Sequence, residues 1–365
     1  MKNPSSTVSL VLETNNLHGD ANSPDGRPRD RDDRITESLI ELLVHLRAQT
    51  FSLASLAELV VTHEGLTAED QARLARAAGR SIHFVTLAKG TGYYAAKNRG
   101  FEATTADVVV FGDADCWPEN DWLALLAEPF DDQEVNAVAG RTTYRGDLLG
   151  TAATTIDFMY FPSPLGEGAT RNFYANNVAF RRPTFERARY VLDGAFYRGN
   201  CQVLGLELQK LGVPIHFQPA ARTTHRFPDD AKDFVRLRLL RGADAVALAP
   251  HLGRAYLPKP LAKLADAPGL EAIVLGSRLF FSLGSINRQD MPEATGARKL
   301  ACAALVAGIS ALDVAGACLK RVGLARLISR EDAAHVALGY HENVDALSTA
   351  ETRARREGVA IRPAA

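Results

Sequence analysis

The sequence predicts an α/β fold with a mostly parallel sheet flanked by helices, followed by a helical C-terminal region. Short β-rich runs alternate with helical segments early in the chain, at the spacing of βαβ units. From residue 229 onward the strand signals fade and helical periodicity dominates. We therefore expect an α/β domain over residues 1–228 and a helical region over residues 229–365.

The N-terminal elements follow from their apolar periodicity. The first strand is predicted at Thr7–Leu12, a short β-rich run. Residues 15–34 are rich in Gly, Pro, Asp and Arg without an apolar period, which is typical of a surface loop. The next elements, alternately helix and strand, are predicted at Ile35–Arg47, Leu56–Thr62, Ala68–Ala78, His83–Leu87, Tyr93–Glu102 and Val108–Gly112.

The second half of the chain is predicted to be increasingly helical. Residues 135–227 mix short strand candidates with loops and one helix at Gln202–Leu211. Arg236, Arg238 and Arg241 then follow, where they either meet phosphates or form a solvated basic helix face. The C-terminal helices are predicted at Ala231–Leu248, Leu270–Leu283, Arg298–Leu319 and Arg330–Arg356.

Composition excludes several classes of protein. The 365 residues are 46% hydrophobic and carry 42 Lys+Arg against 43 Asp+Glu, so a protein that coats nucleic acid is not expected. The four cysteines form no Cys-x-x-Cys pair, which argues against a disulfide framework or structural zinc. No signal peptide is visible near Met1, and we expect a cytoplasmic protein.

One apolar stretch leaves membrane contact open. Residues 300–319 contain a single charge, Asp313, and basic pairs flank them on both sides. This length and these flanks suit a membrane helix, so residues 298–322 are a candidate membrane contact at the cytoplasmic face. The many alanines and glycines, and the cost of a carboxylate in mid-membrane, suit a buried helix nearly as well.

The most informative motif is a pair of carboxylates at a strand end. The apolar run Val108–Gly112 leads directly into Asp113 and Asp115. In open α/β sheets ligands bind beyond the carboxyl ends of the strands. Two like charges there are relieved by a divalent cation with a bound diphosphate, for which carboxylate oxygens are suitable ligands. The alternative is a solvated acidic turn.

Several weak motifs in order resemble glycosyltransferase family 2, inverting enzymes with the Rossmann-like GT-A fold. The helix segment Gly92–Gly100 precedes the strand with Asp113 and Asp115, as in that family. Residues 8–16 look like the first nucleotide-binding strand, and residues 176–182 are similar to the acceptor-side segment. Residues 212–225 match the stretch that closes the domain, so the resemblance covers residues 7–228.

The resemblance implies a nucleotide-sugar donor, UDP- or GDP-linked, a bound Mg²⁺ or Mn²⁺, and transfer with inversion to a hydroxyl of a glycan or lipid-linked acceptor. The metal ligands would be Asp113, Asp115 and His225, although a lone histidine is often structural. The donor would lie near Glu13, Thr14, Glu64, Asn98 and Arg99. Glu13 and Glu64 depart from the family pattern, so a local cap and a solvated strand end are their alternatives.

The most consequential departure is at the catalytic base. The family's Glu-Asp pair falls on Asn200 and Cys201 here. An amide accepts no proton at neutral pH, and an ordinary thiol has a pKa of about 8.5. The candidates for this role are therefore Cys201 and the upstream carboxylate of Asp193, whose alternative is an ordinary loop acid.

Two other functions compete with glycosyl transfer. A degenerate protein that binds a nucleotide-sugar or glycan without turnover would explain the missing base. A nucleotidylyltransferase would share the doubly wound sheet, but it needs a Gly-rich basic loop after the first strand. Residues 13–16 read Glu-Thr-Asn-Asn instead.

Overall fold

The computed structural model describes residues 6–14, 31–88, 91–191, 199–228, 230–286 and 296–324. Most of the predicted loop at residues 15–34 and the whole predicted helix Arg330–Arg356 lie outside these residues. The strands are β1 Val8–Glu13, β2 Glu58–His63, β3 His83–Thr86, β4 Val108–Asp113, β5 Cys116–Pro118, β6 Ala137–Thr143, β7 Ala169–Thr170, β8 Val178–Arg181 and β9 Ile215–His225.

Ten α-helices occur among the described residues. They are α1 Arg31–Arg47, α2 Ala68–Ala78, α3 Tyr93–Glu102, α4 Trp122–Ala127, α5 Leu148–Asp157, α6 Arg182–Arg187, α7 Asn200–Lys210, α8 Ala231–Tyr256, α9 Leu270–Ser285 and α10 Ala297–Arg321. The predicted α/β fold with a helical C-terminal region is confirmed. α8 extends beyond its predicted end at Leu248 and contains Pro250 inside the helix.

The strands form one mixed nine-stranded sheet. The order is β3-β2-β1-β4-β8-β6-β9-β5, and β7 pairs with β9 at the side. The ladders joining β3, β2, β1 and β4 are parallel. Beyond β4, β8 is antiparallel to both of its neighbours, β4 and β6. β9 is parallel to β6 and antiparallel to β5 and β7. The sheet is therefore mixed rather than mostly parallel as predicted: its parallel ladders are those of the N-terminal βαβ units and the later β6–β9 ladder.

Helices cover both faces of the central strands. Along β4, Val108 and Val110 belong to one apolar core, which includes α1, α2 and α4. Val109 and Phe111 point into a second core on the opposite face, with α3 and α7. Strands buried on both sides read as continuous apolar runs, which is why residues 108–111 carry no polar residue.

The C-terminal helices pack on the sheet domain through α5 and through each other. α8 and α10 cross closely at Gly242 and Gly316, where a Cβ on either glycine would overlap a backbone carbonyl of the other helix. A buried ionic cluster lies beside this crossing. It consists of Asp157, Arg238, Arg241, Arg278 and Asp313.

The buried ionic cluster explains how the charge of Asp313 is accommodated within an apolar helix. The Asp313 carboxylate is 1% exposed and accepts two hydrogen bonds from the Arg238 guanidinium, at 2.9 and 2.5 Å. The charge in the middle of the apolar segment is therefore neutralised inside the protein. By length and composition α10 could cross a membrane, with mean hydropathy 1.9 and 39% of its most apolar window buried.

Candidate active site

The carboxyl ends of β1, β2 and β4 bring the predicted polar residues to one edge of the sheet. Glu13 lies beside Thr62 in the β1–β2 ladder and beside Asp113 in the β1–β4 ladder. Glu13 is buried, and its carbonyl accepts a hydrogen bond from the Ala114 N–H at 2.9 Å. The strand ends therefore form a single polar centre, as the parallel order requires.

Asp113 faces α3 in this centre. The Lys97 Nζ lies 2.5 Å from one carboxylate oxygen, and the Tyr93 hydroxyl donates to the other at 2.7 Å. Both charged groups are 1% exposed or less. Burial raises the pKa of Asp113, whereas Lys97 and the Tyr93 hydrogen bond act in the opposite direction.

Asp115 is placed beside His225 by the β5–β9 pairing, which sets Cys116 opposite His225. The His225 Nε2 is 3.8 Å from an Asp115 carboxylate oxygen. The His225 Nδ1 lies 2.8 Å from the Arg226 carbonyl oxygen. A carbonyl only accepts, so Nδ1 carries the hydrogen and the lone pair of a neutral ring lies on Nε2.

The neighbours of Asp115 and His225 make a compact donor set. Asp115, Cys116 and His225 each offer one ligand atom, and these atoms lie within 4.8 Å of one another. The Cys116 thiol donates to Asp115 at 3.6 Å, and burial raises its pKa well above the usual range. It therefore stays protonated, while the carboxylate and imidazole remain suitable ligands for Mg²⁺ or Mn²⁺.

Two aromatic rings hold the His225 imidazole. The Tyr144 ring meets it edge-on with ring centroids 5.6 Å apart. The Phe158 ring is tilted relative to the imidazole, and its centroid lies 5.8 Å away. The Tyr144 hydroxyl in turn donates to Asp157 of the buried ionic cluster at 3.1 Å. The orientation of His225 is thereby tied to the packing of the C-terminal helices.

The predicted donor-binding residues fall in two places. Thr14 follows Glu13, and its hydroxyl donates to the Thr62 carbonyl at 2.8 Å. Glu64 follows the end of β2 and is partly exposed. These residues belong to the same sheet edge as Asp113, which is the arrangement that the resemblance implied.

Asn98 and Arg99 lie on α3 and not at the ends of β1 and β2. The Asn98 amide donates to the Tyr190 carbonyl at 3.0 Å, which ties α3 to the segment after α6. Arg99 is exposed and pairs with Glu102 at 2.9 Å. Their part in donor binding remains a prediction.

Of the two candidates for the catalytic base, the structure describes only Cys201. Asp193 lies outside the described residues. Cys201 is buried in the first turn of α7, with its sulfur 3.4 Å from the Tyr94 hydroxyl. Burial raises the pKa of the Cys201 thiol to about 11, so this group is protonated at neutral pH.

The partners of Asp113 and His225 were not anticipated as a group. Tyr93 and Lys97 stand four residues apart on α3, the spacing of side chains on one helix face, and that spacing could have revealed them. Cys116 meets His225 through the β5–β9 pairing, whereas Tyr144 follows β6, whose last residue Thr143 pairs with Thr224 of β9. Local periodicity does not reveal a pairing between residues more than one hundred positions apart.

This combination of a mixed α/β sheet and carboxylates at the β4 end defines a GT-A fold of the glycosyltransferase type. Residues 35–190 match the model of Glycosyl transferase family 2. This match agrees with the resemblance that the motifs indicated.

Individual relatives agree with this family. The pre-mycofactocin glycosyltransferase of Mycobacterium tuberculosis (strain CDC 1551 / Oshkosh) is 25% identical over 161 residues, which is 42% of this chain. The match spans 34% of that relative's own length. The chain therefore aligns with about a third of the curated relative.

A solved structure supports the fold. The mannosyltransferase PcManGT from Pyrobaculum calidifontis, in complex with GDP-Man and Mn²⁺, superposes with a TM-score of 0.54 at 18% identity. The superposition covers 88% of this chain and 89% of PcManGT. S. aureus TarS is more distant, at 13% identity and a TM-score of 0.43, with 87% of this chain and 55% of TarS covered.

Proposed function

We propose that this chain is a metal-dependent glycosyltransferase, which transfers a sugar from a nucleotide-sugar donor to an acceptor oxygen with inversion. The observation that carries this proposal is the Asp115–His225 pair beside buried Asp113, at the edge of a family 2 domain. The Mn²⁺ and GDP-Man bound by the structurally similar PcManGT support the same class of donor.

The residues at the sheet edge fit a divalent cation. Asp115 and His225 would hold Mg²⁺ or Mn²⁺ through oxygen and nitrogen, and the protonated Cys116 thiol would stay outside the ligand set. When bound, the cation supplies charge neutralisation for a diphosphate leaving group. The Asp113 carboxylate is already bound by Lys97 and Tyr93. It would lie on the donor side of the site, beside the cation, and would not be the cation's sole carboxylate ligand.

The nucleoside would contact the ends of β1 and β2. Glu13 and Glu64 offer carboxylate acceptors for ribose hydroxyls or base N–H groups, and Thr14 lies next to them. A UDP- and a GDP-linked donor are both consistent with acceptors of this kind.

A hydroxyl acceptor would require a proton acceptor in the site. The Cys201 thiol, with its raised pKa, does not fill that role at neutral pH. For a hydroxyl acceptor, Asp193 is then the remaining candidate base of the two that the sequence offers. The proposed function assigns it this role only for such an acceptor.

Donor turnover tests the proposal. UDP- and GDP-sugars are incubated with the full chain and Mn²⁺, and release of the nucleoside diphosphate is followed with and without EDTA. We expect metal-dependent release that falls by about 100-fold or more in Asp115→Asn, because the leaving diphosphate loses its neutralising cation. Asp121→Asn removes an exposed carboxylate and is the matched control.

The same assay distinguishes the transferase from a protein that only binds the nucleotide-sugar. A degenerate binding protein would bind the nucleotide-sugar with Mn²⁺ and release no nucleoside diphosphate with any acceptor. Turnover that persists in EDTA, or that survives Asp115→Asn unchanged, would contradict the metal-dependent transferase.

We further propose that the protein contacts the cytoplasmic face of a membrane through α9 and α10. The exposed side of α9 carries no charge and includes Ile273, Phe280 and Phe281. The exposed positions of α10 between its basic ends are uncharged as well, namely Leu300, Ala304, Ala307, Gly308, Ala311, Val314, Ala315 and Cys318. Flanking Arg and Lys residues favour anionic headgroups.

Vesicle sedimentation tests this contact. We expect the full chain to bind vesicles that contain anionic lipid, and the double variant Phe280→Asp/Leu300→Asp to lose most of that binding. Val44→Asp changes an apolar side chain that is 59% exposed on α1, and it should bind as the wild type does. Equal binding by all three proteins would contradict the contact.

A further inference from the structure

The start of α7 contains a buried amide with no partner. Asn200 is the first residue of this helix and is 0% exposed. Neither its Nδ2 nor its Oδ1 has a hydrogen-bond partner within the part of the chain that the structure describes. Buried polar groups are normally satisfied, so the Asn200 amide has hydrogen-bonding capacity left for a ligand.

The surroundings of Asn200 favour a negatively charged ligand. α7 has eleven residues, and its N-terminus presents backbone N–H groups and the positive end of the helix dipole. The first turn contains no acidic residue, and Gly199 before it provides no side-chain cap. Cys201 is protonated, so its sulfur does not compete as an anion for these donors. Such a terminus binds phosphates readily.

The α7 N-terminus is connected to the metal-binding edge of the sheet. The Cys201 sulfur contacts the Tyr94 hydroxyl at 3.4 Å, and Tyr94 packs edge-on against Tyr93, whose hydroxyl binds Asp113. On its other side, Gly199 lies against Leu248 of α8. A ligand at Asn200 would therefore lie between the donor site and the C-terminal helices.

We propose that the acceptor is a phosphate monoester, which is bound by Asn200 and the N-terminus of α7 and attacks through its own anionic oxygen. This inference rests on the proposed glycosyltransferase function and names its acceptor class. It also gives a physical reason for the amide at this position. An amide donates hydrogen bonds to an anion, whereas a carboxylate base would repel it.

The transfer balances without a general base. A phosphate oxygen of the acceptor forms the new bond to the anomeric carbon of the sugar. The bond from that carbon to the donor diphosphate breaks, and the nucleoside diphosphate leaves with the electron pair. Above the second pKa of a phosphate ester, about 6, the attacking oxygen carries no proton, and none is released. A hydroxyl acceptor would instead release one proton in each transfer.

Matched acceptors test the proposal directly. The full chain is supplied with UDP- and GDP-sugars, Mn²⁺ and either decyl phosphate or decanol, and with either glucose 1-phosphate or glucose. Products are identified by mass spectrometry, and proton release is followed in weakly buffered solution near pH 8. We expect glycosyl phosphodiesters from the phosphates only, without proton release. A polyprenyl phosphate in vesicles, compared with the soluble esters, distinguishes a lipid from a soluble source.

Substitution of Asn200 provides the second arm. Asn200→Asp has nearly the same shape and adds a negative charge, so we expect the KM for the phosphate acceptor to rise at least about tenfold. Lys210→Gln changes the net charge equally at the far, exposed end of α7 and should leave it unchanged. Asp193→Asn should not lower transfer to a phosphate, because no proton is abstracted.

The contradicting results are distinct from failure of the glycosyltransferase function. Transfer to decanol or glucose with proton release, lost in Asp193→Asn, would overturn the phosphate acceptor while leaving the enzyme class intact. Donor hydrolysis without transfer to any phosphate would also overturn it. Absence of metal-dependent donor binding in the wild type would instead contradict the proposed function itself.

Discussion

Asp113 shows how a buried charge is accommodated at the carboxyl edge of the sheet. Its carboxylate is 1% exposed and would be unfavourable alone, but Lys97 and Tyr93 provide a countercharge and a hydrogen bond. All three groups come from β4 and α3, elements whose positions the sequence predicts. This arrangement holds the strand end rigid, so Asp115 two residues later is presented at a fixed position.

Removal of Lys97 should therefore destabilise the protein. Lys97→Met keeps the length of the side chain but leaves Asp113 buried and unpaired, at a cost of about 3–5 kcal/mol in urea unfolding at pH 7. Burial then raises the pKa of Asp113 with only the Tyr93 hydrogen bond left to oppose it, so the carboxyl binds a proton more tightly in the folded state. The deficit should be largest at high pH and should shrink as the pH falls toward about 4.

Arg99→Met is the control for this prediction on the same helix. Arg99 forms an exposed ion pair with Glu102, so its loss should cost about 1 kcal/mol or less. Equal stabilities of the two variants would show that the Lys97–Asp113 pair does not contribute in the way that its burial implies.

At the scale of elements, the sequence predicted most helices and strands but not the later pairings. The βαβ units from β1 to β4 follow local periodicity, so their bounds agree within a few residues. The β5–β9 ladder, which places His225 beside Asp115, depends on long-range packing that no local pattern encodes. The metal-ligand candidates could therefore be named from the sequence, and the spacing of Tyr93 and Lys97 on α3 could have revealed these two partners, whereas Tyr144 could not be grouped with His225.

Two glycines on α10 give an element-scale prediction. Gly316→Ala would place a methyl group against the Leu239 carbonyl of α8, so we expect a loss of about 1–3 kcal/mol in unfolding free energy. Gly308 has open space around it on the same helix, and Gly308→Ala should stabilise the protein by up to about 1 kcal/mol. Chemical denaturation of both variants measures the difference. Equal and positive changes would contradict the close α8–α10 crossing.

At the scale of the whole molecule, the buried ionic cluster joins the predicted N-terminal domain to the helical region. Asp157 belongs to α5, while its arginine partners come from α8 and α9. The sequence suggested a solvated or phosphate-binding face for Arg238 and Arg241. Arg238 is instead 0% exposed, because its charge is matched by two carboxylates distant in sequence.

We expect these two regions to unfold in a single transition. Arg238→Met should lower the unfolding free energy by about 3–5 kcal/mol, because two buried carboxylates lose a shared partner. Arg254→Met removes an exposed pair with Asp266 and should cost about 1 kcal/mol or less. Two resolved transitions in the wild type would contradict this coupling.

The pH dependence of stability in acid should also depend on the buried ionic cluster. Burial alone would raise the pKa of Asp157, but Arg238, Arg241 and Arg278 outweigh it and hold the pKa well below its ordinary value. A lowered folded-state pKa stabilises the protein above the unfolded value of about 3.9, and this contribution is lost as the pH falls further. The stability of Arg238→Met should therefore depend less steeply on pH below about pH 4 than that of the wild type.

The central claim is that Asp115 and His225 hold the cation through which a nucleotide-sugar donor binds. Isothermal titration of UDP and GDP into the full chain, with Mn²⁺ and with EDTA, tests this most directly. The account predicts binding of at least one nucleotide with Mn²⁺, its loss in EDTA, and its loss in Asp115→Ala with Mn²⁺ present. Unchanged nucleotide affinity in Asp115→Ala would contradict it.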